Sequence, residues 1–71
     1  MSELASNLRA LRARKAVSQD EVADALGVDR KSIGNWESGA TKPNLATAWD
    51  IADYYGVTLD DLLGRTVPVS T

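Results

Sequence analysis

The chain contains no cysteine and no histidine. The first absence removes disulfides and thiolate chemistry. The second removes imidazole acid–base catalysis and, with the first, the ligands of a structural zinc site. Phenylalanine is missing as well. No apolar run approaches the ~20 residues that a membrane-spanning helix requires. The opening residues, MSELASNLRA, lack the apolar stretch of a secretory signal, so the cytoplasm is the expected compartment. Gly/Ser-rich linkers and internal repeats are absent. Carboxylates are the chemistry that remains, and Asp60 and Asp61 stand side by side. They fall in the first turn of a short helix, however, where acids complement the dipole, and no second acid–base partner accompanies them. No catalysis, cofactor or metal is expected.

What is present suits one small domain. Seventy-one residues leave no room for a second core, and a chain of this size buries only about 60 % of its unfolded surface. Hydrophobic residues make up 44 % and charged residues 25 %, an ordinary soluble balance. The net charge of −2 argues, taken alone, against a polyanionic partner, but its distribution is uneven. Residues 1–42 hold seven bases (Arg9, Arg12, Arg14, Lys15, Arg30, Lys31, Lys42) against six acids. Residues 43–71 hold Arg65 against four acids. Local fields, rather than the total, decide where a polyanion docks.

The periodicity predicts five helices and no strand. In the first, roughly Glu3 to Lys15, Leu4, Leu8 and Leu11 fall at i, i+4 and i+7. The bases crowded at its end serve either the helix dipole or a phosphate backbone. Ser18 and Glu21 spell a capping box for the second helix, which runs to Leu26, buries Val22, Ala23 and Leu26, and stops at Gly27. Asp29 caps the third, which ends before Gly39. Its Ile33 and Trp36 point inward, so Lys31, Asn35 and Ser38 face away at ~100° per residue, with Arg30 splayed toward the same side. Asn44 caps a fourth helix to Tyr55, with Leu45, Ala48, Ala52 and Tyr55 as its apolar stripe. Trp49 lies on the margin of that stripe, and Tyr54 is expected at the solvent. Thr58 caps a last short helix burying Leu59 and Leu62. The domain is expected over residues 1–64, with 65–71 as a tail.

Helix, tight glycine turn, helix is the helix-turn-helix arrangement. The string LRALRARKAVSQDEVADALGVDRKSIGNWESGATKPNLATAWDIADYYGVTLDDLL, Leu8 to Leu63, resembles the Cro/C1-type (Xre-like) helix-turn-helix family of bacterial and phage repressors. The likeness is distributed over Ser-Gln-x-Glu-x-Ala, Leu-Gly-Val, Ile-x-x-Trp-Glu-x-Gly and Gly-Val-x-Leu-Asp-x-Leu. It implies an all-α, five-helix, lambda-repressor-like domain whose second and third helices form the reading unit, the third lying in the major groove. Carried over by position, Arg30, Lys31 and Asn35 become base readers. Gln19, Ser32, Lys42 and Asn44 become phosphate contacts, and Arg12 and Glu37 an internal ion pair. Three features depart from the family pattern: Ala16-Val17 stands where Gly-Leu is commoner, Gly34 lies inside the third helix, and the chain is acidic overall. Gly34 either permits close approach to DNA or is a tolerated weakness of about 1 kcal/mol.

The resemblance thus implies a sequence-specific regulator of double-stranded DNA, most simply a repressor acting as a homodimer on a palindromic operator. Trp49, Tyr54 and Leu63 are the candidates for a dimer surface. The rival from another class is an antitoxin module that binds and neutralises a toxin protein while autoregulating its operon.

Overall fold

The computed structural model describes residues 3–64; the expected tail, residues 65–71, lies outside them. Among the described residues the protein is all-α, with α1 (Glu3–Lys15), α2 (Gln19–Leu26), α3 (Arg30–Ser38), α4 (Leu45–Tyr55) and α5 (Leu59–Leu63). Local chemistry sets these limits. Ser18 Oγ accepts from the Glu21 N–H at 3.1 Å, and Glu21 Oε1 accepts from the Ser18 N–H at 3.3 Å. Two otherwise orphaned helix donors are thereby satisfied. Asn44 and Thr58 open α4 and α5 in the same manner, accepting from Thr47 N–H at 2.8 Å and Asp61 N–H at 3.0 Å. Asp29 holds the N-cap position of α3 with extended backbone, but its side chain makes no capping bond. Its carbonyl instead accepts from Ser32 N–H at 3.0 Å.

The helices end by a shared device. At α2, Gly27 takes φ 69°, its N–H reaches Asp24 O at 3.3 Å, and Val28 N–H reaches Ala23 O at 3.0 Å. This pair of bonds folds the chain back and turns Val28 onto the core. The same bonds close α1, from Ala16 N–H to Ala13 O (3.1 Å) and from Val17 N–H to Arg12 O (3.3 Å). There the left-handed residue is Ala16, at φ 59°. It is the one non-glycine with positive φ among the described residues, and its Cβ meets the crowding that glycine avoids.

Packing forms two joined clusters. The first gathers Leu4 and Leu8 from α1, Ala48, Ile51 and Ala52 from α4, and Leu62 from α5. Ile51 and Leu62 are inaccessible to solvent, and each burial stabilises by roughly 1.5–3 kcal/mol. The second cluster is Val22 and Ala23 of α2 against Ile33 of α3. Leu26, Trp36 and Tyr55 touch both clusters, so the α2–α3 unit is continuous with the rest of the core. The termini of the described fold are also tied. Asn7 Nδ2 on α1 donates to Leu62 O at 3.1 Å and to Asp61 O at 3.4 Å, satisfying carbonyls at the end of α5. Gly64 closes this contact, and a Cβ there would come within 2.9 Å of Glu3 Cβ.

Two expectations for α4 need correction. Leu45 is 64 % exposed, not part of the buried stripe. It is the first residue of the helix, one turn before Ala48, where burial begins. Tyr54, expected at the solvent, is half-buried against the second cluster. Its ring meets Tyr55 edge-on at 4.9 Å between centroids, and the Lys15 ammonium sits 5.0 Å from its centre. The period of α4 alone placed Tyr54 outside; the approach of α2 to that side of α4 covers it.

Candidate nucleic-acid interface

The second cluster fixes which way α3 faces. Ile33 is buried, Trp36 packs on both clusters, and Glu37, one turn beyond Ile33, is only 5 % exposed. The opposite side carries Lys31 and Asn35 one turn apart, Lys31 exposed and Asn35 half-buried. Gly34 lies on the same outward side, and a Cβ added there would meet nothing within 4 Å. No packing inside the fold therefore demands glycine at that position. Arg30, in the first turn, is 66 % exposed and leans toward α2, where its Nε lies 3.5 Å from Asp20 Oδ1. Ser32 is half-buried beside it.

A buried carboxylate holds this helix in place. Arg12 Nε donates to Glu37 Oε2 at 2.7 Å, and Gln19 Nε2 donates to Glu37 Oε1 at 3.2 Å. Arg9 Nη1 donates to the Glu37 carbonyl, and Arg12 Nη1 reaches Val17 O at 3.2 Å across the α1–α2 corner. Both carboxylate oxygens are partnered, the condition under which a buried charge is tolerated. The hydrogen bond to Glu37 raises the Arg12 pKa above its ordinary value, against the opposing effect of desolvation. One side chain of α3 is thereby pinned to α1 and α2 together.

The ion pair expected between Arg12 and Glu37 is present, and it is larger than the sequence suggested. Gln19, expected at a phosphate, turns its amide inward to Glu37. Arg9 joins the network through the backbone, which no spacing rule between residues 9 and 37 would signal. The basic run on α1 acquires a further reading, since Arg9, Arg12 and Lys15 each have an intramolecular partner. Lys42 and Asn44 are exposed at the entry to α4. Asn44 commits its oxygen to the Thr47 N–H, while its Nδ2 makes no hydrogen bond among the described residues. Of the candidates for a dimer surface, Trp49 is 59 % exposed. Leu63 is half-buried on the first cluster, and Tyr54 packs on the second. No helix among the described residues is long and apolar enough to cross a membrane.

Known proteins share this arrangement. A helix-turn-helix family model matches residues 8–62. The chain is 38 % identical over 61 residues to the HTH-type transcriptional activator BcrR of Enterococcus faecalis, covering 86 % of this chain and 30 % of that protein. It is 34 % identical over 58 residues to the cryptic phage CTXphi transcriptional repressor RstR of Vibrio cholerae, covering 82 % and 52 %. An uncharacterized HTH-type transcriptional regulator of Methanocaldococcus jannaschii is 35 % identical over 57 residues, with 80 % and 86 % covered. The chain thus spans 30 % and 52 % of the length of the first two relatives. Among solved structures, a transcriptional regulator from Listeria innocua superposes with a TM-score of 0.87 at 25 % identity, covering all of this chain and 66 % of that one. The SOS-response transcriptional repressor LexA from Eubacterium rectale does so with 0.84 at 26 % identity, covering 96 % and 79 %.

Proposed function

Since this chain belongs to the Cro/C1-type helix-turn-helix family of DNA-binding transcription regulators, we propose that it represses transcription as a homodimer on a palindromic operator. The observation that carries the reading is the two-sidedness of α3. Its inner side is fixed by Ile33, Trp36 and the Glu37 network, while Arg30, Lys31 and Asn35 stand on or beside the outer side. A helix held this way presents polar side chains to the major groove at little cost in mobility. Arg30 and Lys31 suit guanine O6 and N7, and Asn35 suits adenine N6 and N7.

The backbone contacts follow from the same pose. Lys42 and Asn44 meet one phosphate run, Asn44 through the Nδ2 that its capping bond leaves over. Ser32 meets another, and Gln19 acts through the N-terminus of α2 and its second amide hydrogen. One such helix reads only a few base pairs, so two half-sites about 34 Å apart supply the remaining affinity. Repression by occlusion asks nothing beyond occupancy of the operator.

Selection from a random duplex library tests the class and the symmetry together. A palindromic motif is expected, and no enrichment at low salt would sink the reading. On the selected operator, Lys31→Ala and Asn35→Ala should each cost about 1–3 kcal/mol and relax preference at one position. Lys42→Ala should weaken operator and scrambled duplex alike and lower the salt slope by about one. Equal losses on both duplexes for Lys31→Ala and Asn35→Ala would make these residues positioning groups instead of readers.

A further inference from the structure

A carboxylate stands on the side of the α2–α3 unit that bears the reading residues. Asp20, second residue of α2 and 72 % exposed, places Oδ1 3.5 Å from Arg30 Nε. An ion pair this exposed contributes little to folding. What Asp20 adds to stability comes from its place in the first turn of α2, where an acid complements the dipole whether or not Arg30 is near. A carboxylate beside a DNA contact also repels phosphates, and phosphate attraction supplies essentially all of non-specific binding. We infer that Asp20 is a positioning residue that sets DNA specificity through Arg30. The inference rests on the DNA-reading role of α3.

Two effects converge. Asp20 faces the Nε edge of Arg30, the inner nitrogen of a planar fork with five donors, as an ion pair without a hydrogen bond. Attraction at the Nε edge biases the orientation of the guanidinium and leaves the terminal nitrogens as the outward donors, the pair that grips guanine O6 and N7. Meanwhile the Asp20 charge opposes a swing of Arg30 onto the backbone, because that swing would separate the pair and set the carboxylate against phosphates. Within a Debye length of about 8–10 Å this repulsion survives at physiological salt. Asp20 therefore lowers affinity for DNA at large while favouring the sequence that offers Arg30 a guanine.

The test is a double-mutant cycle on the full chain, using the operator selected as above and its scrambled counterpart. Fluorescence anisotropy would be read at several salt concentrations for the parent, Asp20→Asn, Arg30→Ala and the double variant. Asp20→Asn is expected to tighten binding to the scrambled duplex. The operator-to-scrambled ratio should fall about two- to fivefold, with relaxed preference confined to the base that Arg30 meets. The melting temperature should drop by no more than a few degrees through the lost first-turn charge. In the Arg30→Ala background the same change should shift both duplexes by one factor and leave the ratio alone. An unchanged ratio in the first comparison, or an equal fall in both backgrounds, would overturn the inference. A parent that discriminates between the duplexes while Asp20→Asn has no effect refutes this role alone. A parent that does not discriminate refutes the DNA-reading role of α3, and this inference with it.

Discussion

Glu37 carries a carboxylate at 5 % exposure, and the donors around it come from two other helices. Replacing it by glutamine keeps the shape but removes the charge that faces the Arg12 guanidinium and requires Gln19 to turn its amide over and accept where it now donates. The expected loss is about 2–4 kcal/mol, short of the largest values for buried pairs because Arg12 keeps 28 % of its side chain in water. Urea unfolding of Glu37→Gln measures it, and a midpoint equal to the parent's would show that the network does not hold the fold. Tyr55 gives a second expectation. Burial first, and then the nearby Glu37 and Tyr54, push its phenol up to about 12, with Arg12 opposing. The folded chain thus keeps this proton where the unfolded chain, titrating near 10, releases it. The contribution is complete below pH 10 and is lost as pH rises toward 12. Tyr55→Phe should accordingly lose less stability than the parent between pH 9 and 11. At this scale the sequence was only partly legible. Arg12 and Glu37 could be paired through the family pattern, whereas the inward turn of Gln19 and the covering of Tyr54 depend on how separate helices approach. Periodicity describes one helix at a time.

Elements were the most legible level, because caps and stops are local chemistry. The capping box at Ser18 and the capping roles of Asn44 and Thr58 could be read from residues within four positions of one another. Asp29 marked the right boundary without supplying the bond. The end of α1 shows what a departure from the family pattern entails, for Ala16 occupies a backbone region suited to glycine. Ala16→Gly removes that crowding but adds freedom to the unfolded chain. The expected net gain is about 0.5–1 kcal/mol, read as a rise in thermal or urea midpoint; a fall would show that the corner accommodates alanine without strain. The last helix is the opposite case. Five residues cannot hold a helix in water, and α5 persists because Leu62 is buried and Asn7 satisfies its carbonyls. Asn7 lies more than fifty residues away in the chain, a separation that local patterns do not bridge.

At the scale of the whole fold, the exposed large apolar side chains among the described residues share one place. Leu45 and Trp49 lie one turn apart on α4, at 64 % and 59 % exposure. The proposed homodimer gives them a partner surface, with Trp49 at its centre and Leu63 and Tyr54 contributing their exposed edges. Sedimentation equilibrium should show self-association that Trp49→Glu abolishes with little change in melting temperature. A monomer at high concentration, with and without operator, would retire this surface.

The separation of the two sides of α3 also bears on how such a protein diverges. The Glu37 network engages Arg9, Arg12 and Gln19 and uses none of the side chains at positions 30, 31, 32 and 35. Side-chain changes at the exposed Arg30 and Lys31 therefore leave the scaffold nearly untouched, and changes at the half-buried Ser32 and Asn35 spare the network. A duplicated copy is free to drift toward a different operator by single steps, each of which still folds. Lineages carrying this chassis can change what the outer side meets without first acquiring compensating changes in the network that holds the helix.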